Sequence, residues 1–69
     1  MNDNRISSDR FMRLPEVRRE CALSTSTIYR RMEAGTFPKA VAIGEHSVAW
    51  WESDIAAWKA APLEWRKAA

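Results

Sequence analysis

Histidine and cysteine, the side chains most readily turned to acid–base or nucleophilic work near neutral pH, are scarce in this 69-residue chain. It holds one histidine, His46, and one cysteine, Cys21. His46 falls on an expected loop tip beside Glu45, so no Ser/His/Asp arrangement has a context. No second His or Cys stands ready to complete a metal site. Glycine occurs only at 35 and 44, which leaves no phosphate-cradling loop. A chain this short also lacks room for a walled pocket. These absences point away from an enzyme and name no catalytic residue, metal or cofactor. What the chain does offer is polar recognition: Ser24, Thr25, Ser26 and Thr27, then Tyr29, Arg30 and Arg31, in one run.

That run reads as a short helix marked at both ends. Ser24 is suited to the N-cap, its hydroxyl accepting a bond from a backbone N–H one turn on. Gly35 is suited to the end, because glycine takes the left-handed conformation without steric cost. On a helical wheel Ile28 and Met32 share one face, while Ser26 and Arg30 point the other way. A helix with small hydroxyls first and Arg after suits a DNA groove.

A first helix should precede it over Leu14 to Cys21, opened by Pro15 at N1, where a missing N–H costs nothing. Glu16 then sits in the first turn, favourable against the helix dipole. Leu14, Val17 and Cys21 make the apolar stripe. Only Ala22 and Leu23 separate this helix from the Ser24 cap, a link short enough for a helix-turn-helix. An ordinary helical hairpin would show the same spacing.

Beyond Phe37-Pro38 the period changes. Val41 and Ile43 lie two apart, as do Val48 and Trp50, with Gly44-Glu45-His46-Ser47 between them. Glycine at the start of that turn allows positive φ, and a two-stranded hairpin is expected. A third helix opens near Glu52 or Ser53, with Ile55 and Trp58 as its apolar pair and Pro62 as its stop. The fold class is thus mainly α with a small β-hairpin. Helix, helix, hairpin, helix is the order of a winged helix-turn-helix.

On these residues the chain resembles the AlpA family of small phage-type regulators, whose fold is similar to the DNA-binding domains of MerR proteins and phage excisionases. The resemblance is carried by Leu14 with Glu16-Val17, Leu23-Ser24 and Ser26-Thr27-Ile28-Tyr29-Arg30. Gly35-Thr36-Phe37-Pro38-Lys39 follows, with Val41, Ile43-Gly44, Val48 and Trp50, then Glu52-Ser53-Asp54-Ile55 and Trp58. It spans roughly residues 12 to 60. Three positions depart from the family pattern. Ala22 replaces a common glycine, so the inter-helix turn should avoid positive φ there. Thr25 replaces a basic residue. His46, preceded by Glu45, replaces a wing-tip arginine, which shifts the expected weight of binding onto the second helix.

The resemblance implies a prophage or mobile-element regulator that acts on double-stranded DNA, by activating transcription or as an excisionase-like architectural factor. Self-association or cooperative binding on DNA fits so small a protein, as does contact with RNA polymerase or an integrase. The candidate DNA-binding residues are Ser24, Thr25, Ser26, Thr27, Tyr29, Arg30, Arg31, Arg18, Arg19, Lys39 and His46. Arg30 is the choice for guanine, whose O6 and N7 its planar fork matches. Arg18, Arg19, Arg31 and Lys39 suit phosphates, and His46 is a further phosphate candidate. A protein-interaction module that kept the winged fold without DNA affinity is the rival, favoured by Thr25, Glu45 and an exposed Trp51.

Charge is uneven. The chain's net charge is +2, yet residues 5–31 hold seven arginines against Asp9, Glu16 and Glu20, a net +4. Residues 32–69 hold four cations against five acids, a net −1. The basic half is the helix-turn-helix half, as expected of a DNA face. Residues 1–10 read as a flexible polar segment, 11–61 as the winged domain and 62–69 as a tail. With no 18-residue apolar run and no signal peptide, a cytoplasmic location and no membrane partner are expected. Trp50, Trp58 and Cys21 are assigned to the core, and Trp65 to the body or a neighbouring protomer.

Overall fold

A computed structural model describes residues 9–67. Its elements are β1 (Phe11–Met12), α1 (Leu14–Cys21), α2 (Thr25–Ala34), β2 (Val41–Gly44), β3 (Ser47–Trp51) and α3 (Glu52–Ala60). The helix-helix-hairpin-helix order of a winged helix-turn-helix is present. One strand is added to it. β1 pairs antiparallel with β3, Phe11 opposite Trp51 and Met12 opposite Trp50, which gives a three-stranded sheet in the order β1-β3-β2. A two-residue strand has no periodicity to read, which is why sequence patterning misses it. Of the segment expected to be flexible, residues 1–8 lie outside the described residues, as do the tail's residues 68–69.

Each helix end has an identifiable cause. α1 spans the expected Leu14–Cys21, but with Arg13 as N-cap Pro15 takes the second position rather than the first. That N–H would be unpaired in either place. α1 ends on Ala22, which is left-handed at φ 58°, ψ 38°, against the expectation of an unstrained turn. Cys21 is buried and Leu23 packs on the core, so the chain must reverse between them. Tertiary packing there overrides a penalty of roughly 1–2 kcal/mol for a left-handed alanine.

α2 carries both expected caps. Ser24 Oγ accepts from the Thr27 N–H at 3.3 Å. At the other end Gly35 is left-handed at φ 81°, its N–H bonding Met32 O while the Thr36 N–H bonds Arg31 O. This is a complete Schellman closure. The hairpin is as expected, but the reason differs: among the described residues only Ala22 and Gly35 have positive φ. Gly44 instead pairs opposite Ser47 after a register shift between Ala42 and Gly44.

α3 starts on Trp51, which has no oxygen with which to cap it. Asp9, which precedes β1, supplies the cap. Its carboxylate accepts from the Ser53 N–H at 3.2 Å and the Ser53 hydroxyl at 2.8 Å, while Arg10 O accepts from the Glu52 N–H at 2.8 Å. An acid at a helix N-terminus also meets the positive end of its dipole.

The core comprises Met12, Val17, Cys21, Ile28, Phe37, Trp50, Ile55 and Trp58. Every helix and two of the strands supply it. Trp50 is fully buried; at about 25 cal/mol per Å², its area gives a gross upper bound of about 5 kcal/mol. Both core indoles also find acceptors. Trp50 Nε1 donates to Pro38 O at 2.9 Å and Trp58 Nε1 to Thr36 O at 3.1 Å. Phe37, between those two residues in sequence, is buried and meets the Trp58 ring edge-on. The loop from α2 to the hairpin is therefore clamped from two elements. Trp51 is half-buried and stacks on Phe11 at 4.2 Å between ring centroids, which removes the exposed tryptophan that favoured an interaction module.

Candidate nucleic-acid interface

The outer face of α2 is built from its cap outward. Ser24 Oγ donates to Thr27 Oγ1 at 2.9 Å and lies 3.4 Å from Ser26 Oγ. Arg30 Nη2 in turn donates to Thr27 Oγ1 at 3.4 Å. A chain of hydroxyls thus runs up the helix and holds the Arg30 guanidinium along it, one turn above Thr27. Ser26 and Arg30 are exposed, Thr25 and Thr27 half-buried, and Ile28 fully buried beneath them. Tyr29 is 42% exposed and rests edge-on against Trp50, so its ring is braced by the wing strand while its other side faces solvent.

The other candidate cations come from different elements. Arg18 and Arg19 are exposed on the last turn of α1. Arg31 is half-buried on α2. Lys39 is exposed just after the clamped Phe37-Pro38 segment and shares a shallow groove with Tyr29, Met32 and Glu33. His46 is exposed at the hairpin turn, next to Glu45. The described structure links Ser24, Ser26, Thr27 and Arg30 by hydrogen bonds and groups Tyr29 with Lys39. It shows no contact that joins His46 to the others.

The acids are disposed differently. Glu16 takes Arg10 at 2.9 Å, Glu52 takes the same guanidinium at 3.3 Å, and Glu20 takes Lys59 at 2.8 Å. All five charged groups line a groove between α1 and α3 with Met12, Ile55 and Ala56. The Lys59 ammonium holds the Glu20 carboxyl below its ordinary range, and Glu20 raises Lys59 in return. Glu16, by hydrogen bond and charge, raises Arg10. Among the described residues no carboxylate is within ion-pair distance of Arg18, Arg19, Arg30, Arg31 or Lys39. At 100° per residue Arg18 projects roughly opposite Glu16 and Glu20 on α1. Acids pair with cations on the α1–α3 side, where the charge of Arg19 also reaches Glu20, and Arg30, Arg31 and Lys39 form no ion pair among the described residues.

One residue absent from the sequence-based set belongs beside this surface. Beyond α3 the chain turns back, Trp65 packs on the core, and the Lys67 N–H donates to Gly35 O at 2.9 Å. Lys67 lines the same groove as Tyr29 and Lys39. Trp65 was its only signal in the sequence, an apolar anchor in an otherwise polar tail. Cys21 sits in the core as expected, and burial pushes its thiol pKa up. No group of three metal-ligating side chains occurs among the described residues. No helix there is long and apolar enough to cross a membrane.

Three helices, a hairpin packed against them, and a capped, hydroxyl- and arginine-bearing second helix define a winged helix-turn-helix protein. The chain belongs to the AlpA family: residues 10–63 match the family described as prophage CP4-57 regulatory protein (AlpA). It is also 45% identical over 62 residues to an uncharacterized protein, ORF88, of Enterobacteria phage P4, a match covering 90% of this chain and 70% of that protein. No solved structure matches it significantly.

Proposed function

We propose that this protein is a sequence-specific, duplex-DNA-binding regulator of a prophage or mobile element that inserts α2 into the major groove. The observation that carries this reading is the segregation of charge pairing. Every carboxylate in the α1–α3 groove has a cation, while Arg18, Arg19, Arg30, Arg31 and Lys39 form no ion pair among the described residues, although the charge of Arg19 reaches Glu20. Unpaired cations around a polar helix face are suited to phosphate oxygens, and their neutralisation would release counterions. A helix about 10–12 Å across with its side chains also matches a major groove about 12 Å wide.

Roles divide by chemistry. Arg30, steadied by Thr27, faces a guanine edge; Ser24, Thr25, Ser26, Thr27 and Tyr29 meet neighbouring bases or backbone. Arg18, Arg19, Arg31 and Lys39 take phosphates, and His46 adds a weak contact at the wing tip beside the repelling Glu45. The protein's longest dimension is 28 Å, about eight base pairs at 3.4 Å each. A single copy specifies too little sequence to act alone, so copies bind neighbouring sites and present a joint surface to RNA polymerase or an integrase. The reading is tested by duplex binding, followed by fluorescence anisotropy across a salt series. Affinity falling with a log–log slope of about −4 or steeper, for five or more phosphates, supports the reading. Salt-independent binding, or none, contradicts it and favours a protein-interaction module.

A further inference from the structure

The C-terminal tail is held against the second helix rather than trailing from the third. Glu64 and Trp65 each donate a backbone bond to Ala61 O, at 3.1 and 2.9 Å, which closes a turn just past α3. The Trp65 ring packs against the core, and Arg66 Nη1 donates to Trp65 O at 2.7 Å, stiffening the next bend. Lys67 then bonds by its N–H to Gly35 O, the carbonyl of the residue that ends α2. Lys67 also lines the groove with Tyr29, Met32, Glu33 and Lys39. Among the described residues neither Lys39 nor Lys67 forms an ion pair, although Glu33 lines the same groove. Two lysines from segments far apart in sequence, brought to one groove beside the recognition face, suit an anion. The wing tip, with Glu45 and His46, lacks that character.

Resting on the DNA-binding reading above, we propose that the docked tail is a second grip on the DNA backbone, in which Lys67 and Lys39 hold phosphate beside the groove that α2 enters. The tail thereby does what an arginine-tipped wing would otherwise do. The decisive comparison uses the full chain and a random-sequence 20-base-pair duplex, with wild type, Lys67→Ala and Lys67→Arg side by side. Lys67→Ala should weaken binding several-fold at physiological salt and flatten the log–log salt slope by about 0.9, the loss of one phosphate contact. Lys67→Arg should retain both. Melting temperature should not change, whereas a lysine that only complements the helix dipole would alter stability and leave the salt slope intact. Wild-type binding that Lys67→Ala reproduces in affinity and slope overturns the tail's role alone. A wild type that does not bind the duplex overturns both readings.

Discussion

At the scale of single residues, Ala22 and Arg30 carry opposite kinds of consequence. Ala22 is held at φ 58° by the burial of Cys21 and the packing of Leu23 on either side. Glycine there would shed the left-handed strain, roughly 1–2 kcal/mol, and give back part of it through a freer unfolded chain. Ala22→Gly should therefore stabilise the protein by about 0.5–1 kcal/mol. Thermal unfolding reads this as a rise of several degrees, given about 4–8 °C per kcal/mol in a domain of this size. A lower melting temperature would show that the turn is not left-handed. Arg30, by contrast, contributes little to the fold. It is exposed, and among the described residues its one hydrogen-bond partner is Thr27 Oγ1 at 3.4 Å. Its substitution should leave stability nearly unchanged and act on recognition.

At the scale of elements, local chemistry was legible in the sequence where it is self-contained. The limits of α2 could be read because Ser24 and Gly35 are sufficient causes of a start and a stop, and both act as expected. The hairpin was legible from its alternation, though Gly44 does not use the positive φ that glycine permits. What could not be read depends on partners distant in the chain. β1 exists because Phe11 and Met12 find Trp51 and Trp50, and α3 is capped by a residue more than forty positions earlier. In the candidate site, the hydroxyl and arginine face of α2 was apparent from spacing. The approach of Lys67 to Lys39 was not, because it follows from Trp65 docking on a completed core.

Asp9→Ala removes the side-chain acceptor of the Ser53 N–H and hydroxyl at the start of α3 and should cost about 1 kcal/mol, seen in chemical denaturation; no change in midpoint would show that the cap is made otherwise. Trp50→Phe keeps a buried ring but removes the donor to Pro38 O and some packing volume. It should cost about 2–4 kcal/mol and loosen the segment that presents Lys39. A near-neutral Trp50→Phe would mean that the indole N–H is not part of the clamp.

At the scale of the whole molecule, the decisive feature is an asymmetry of charge on a small body. Among the described residues each acid of the α1–α3 groove is ion-paired, whereas Arg30, Arg31 and Lys39 are not. On the proposed DNA-binding reading, a span of 28 Å would cover about eight base pairs, which would make binding to repeated sites the economical route to specificity. Duplexes carrying two sites on the same face, about one helical turn apart, should bind the second copy more tightly than the first in gel-shift titrations. Independent filling of the two sites would contradict that expectation.

In vitro selection from random duplex DNA near physiological salt, with wild type and Arg30→Ala in parallel, decides whether α2 reads sequence. The wild type should enrich a motif that disappears in the variant, a loss of about 1–3 kcal/mol of discrimination at a guanine, while salt-sensitive background binding persists. An identical motif enriched by both proteins would contradict reading through Arg30. The absence of any binding by the wild type would contradict the DNA-binding account itself.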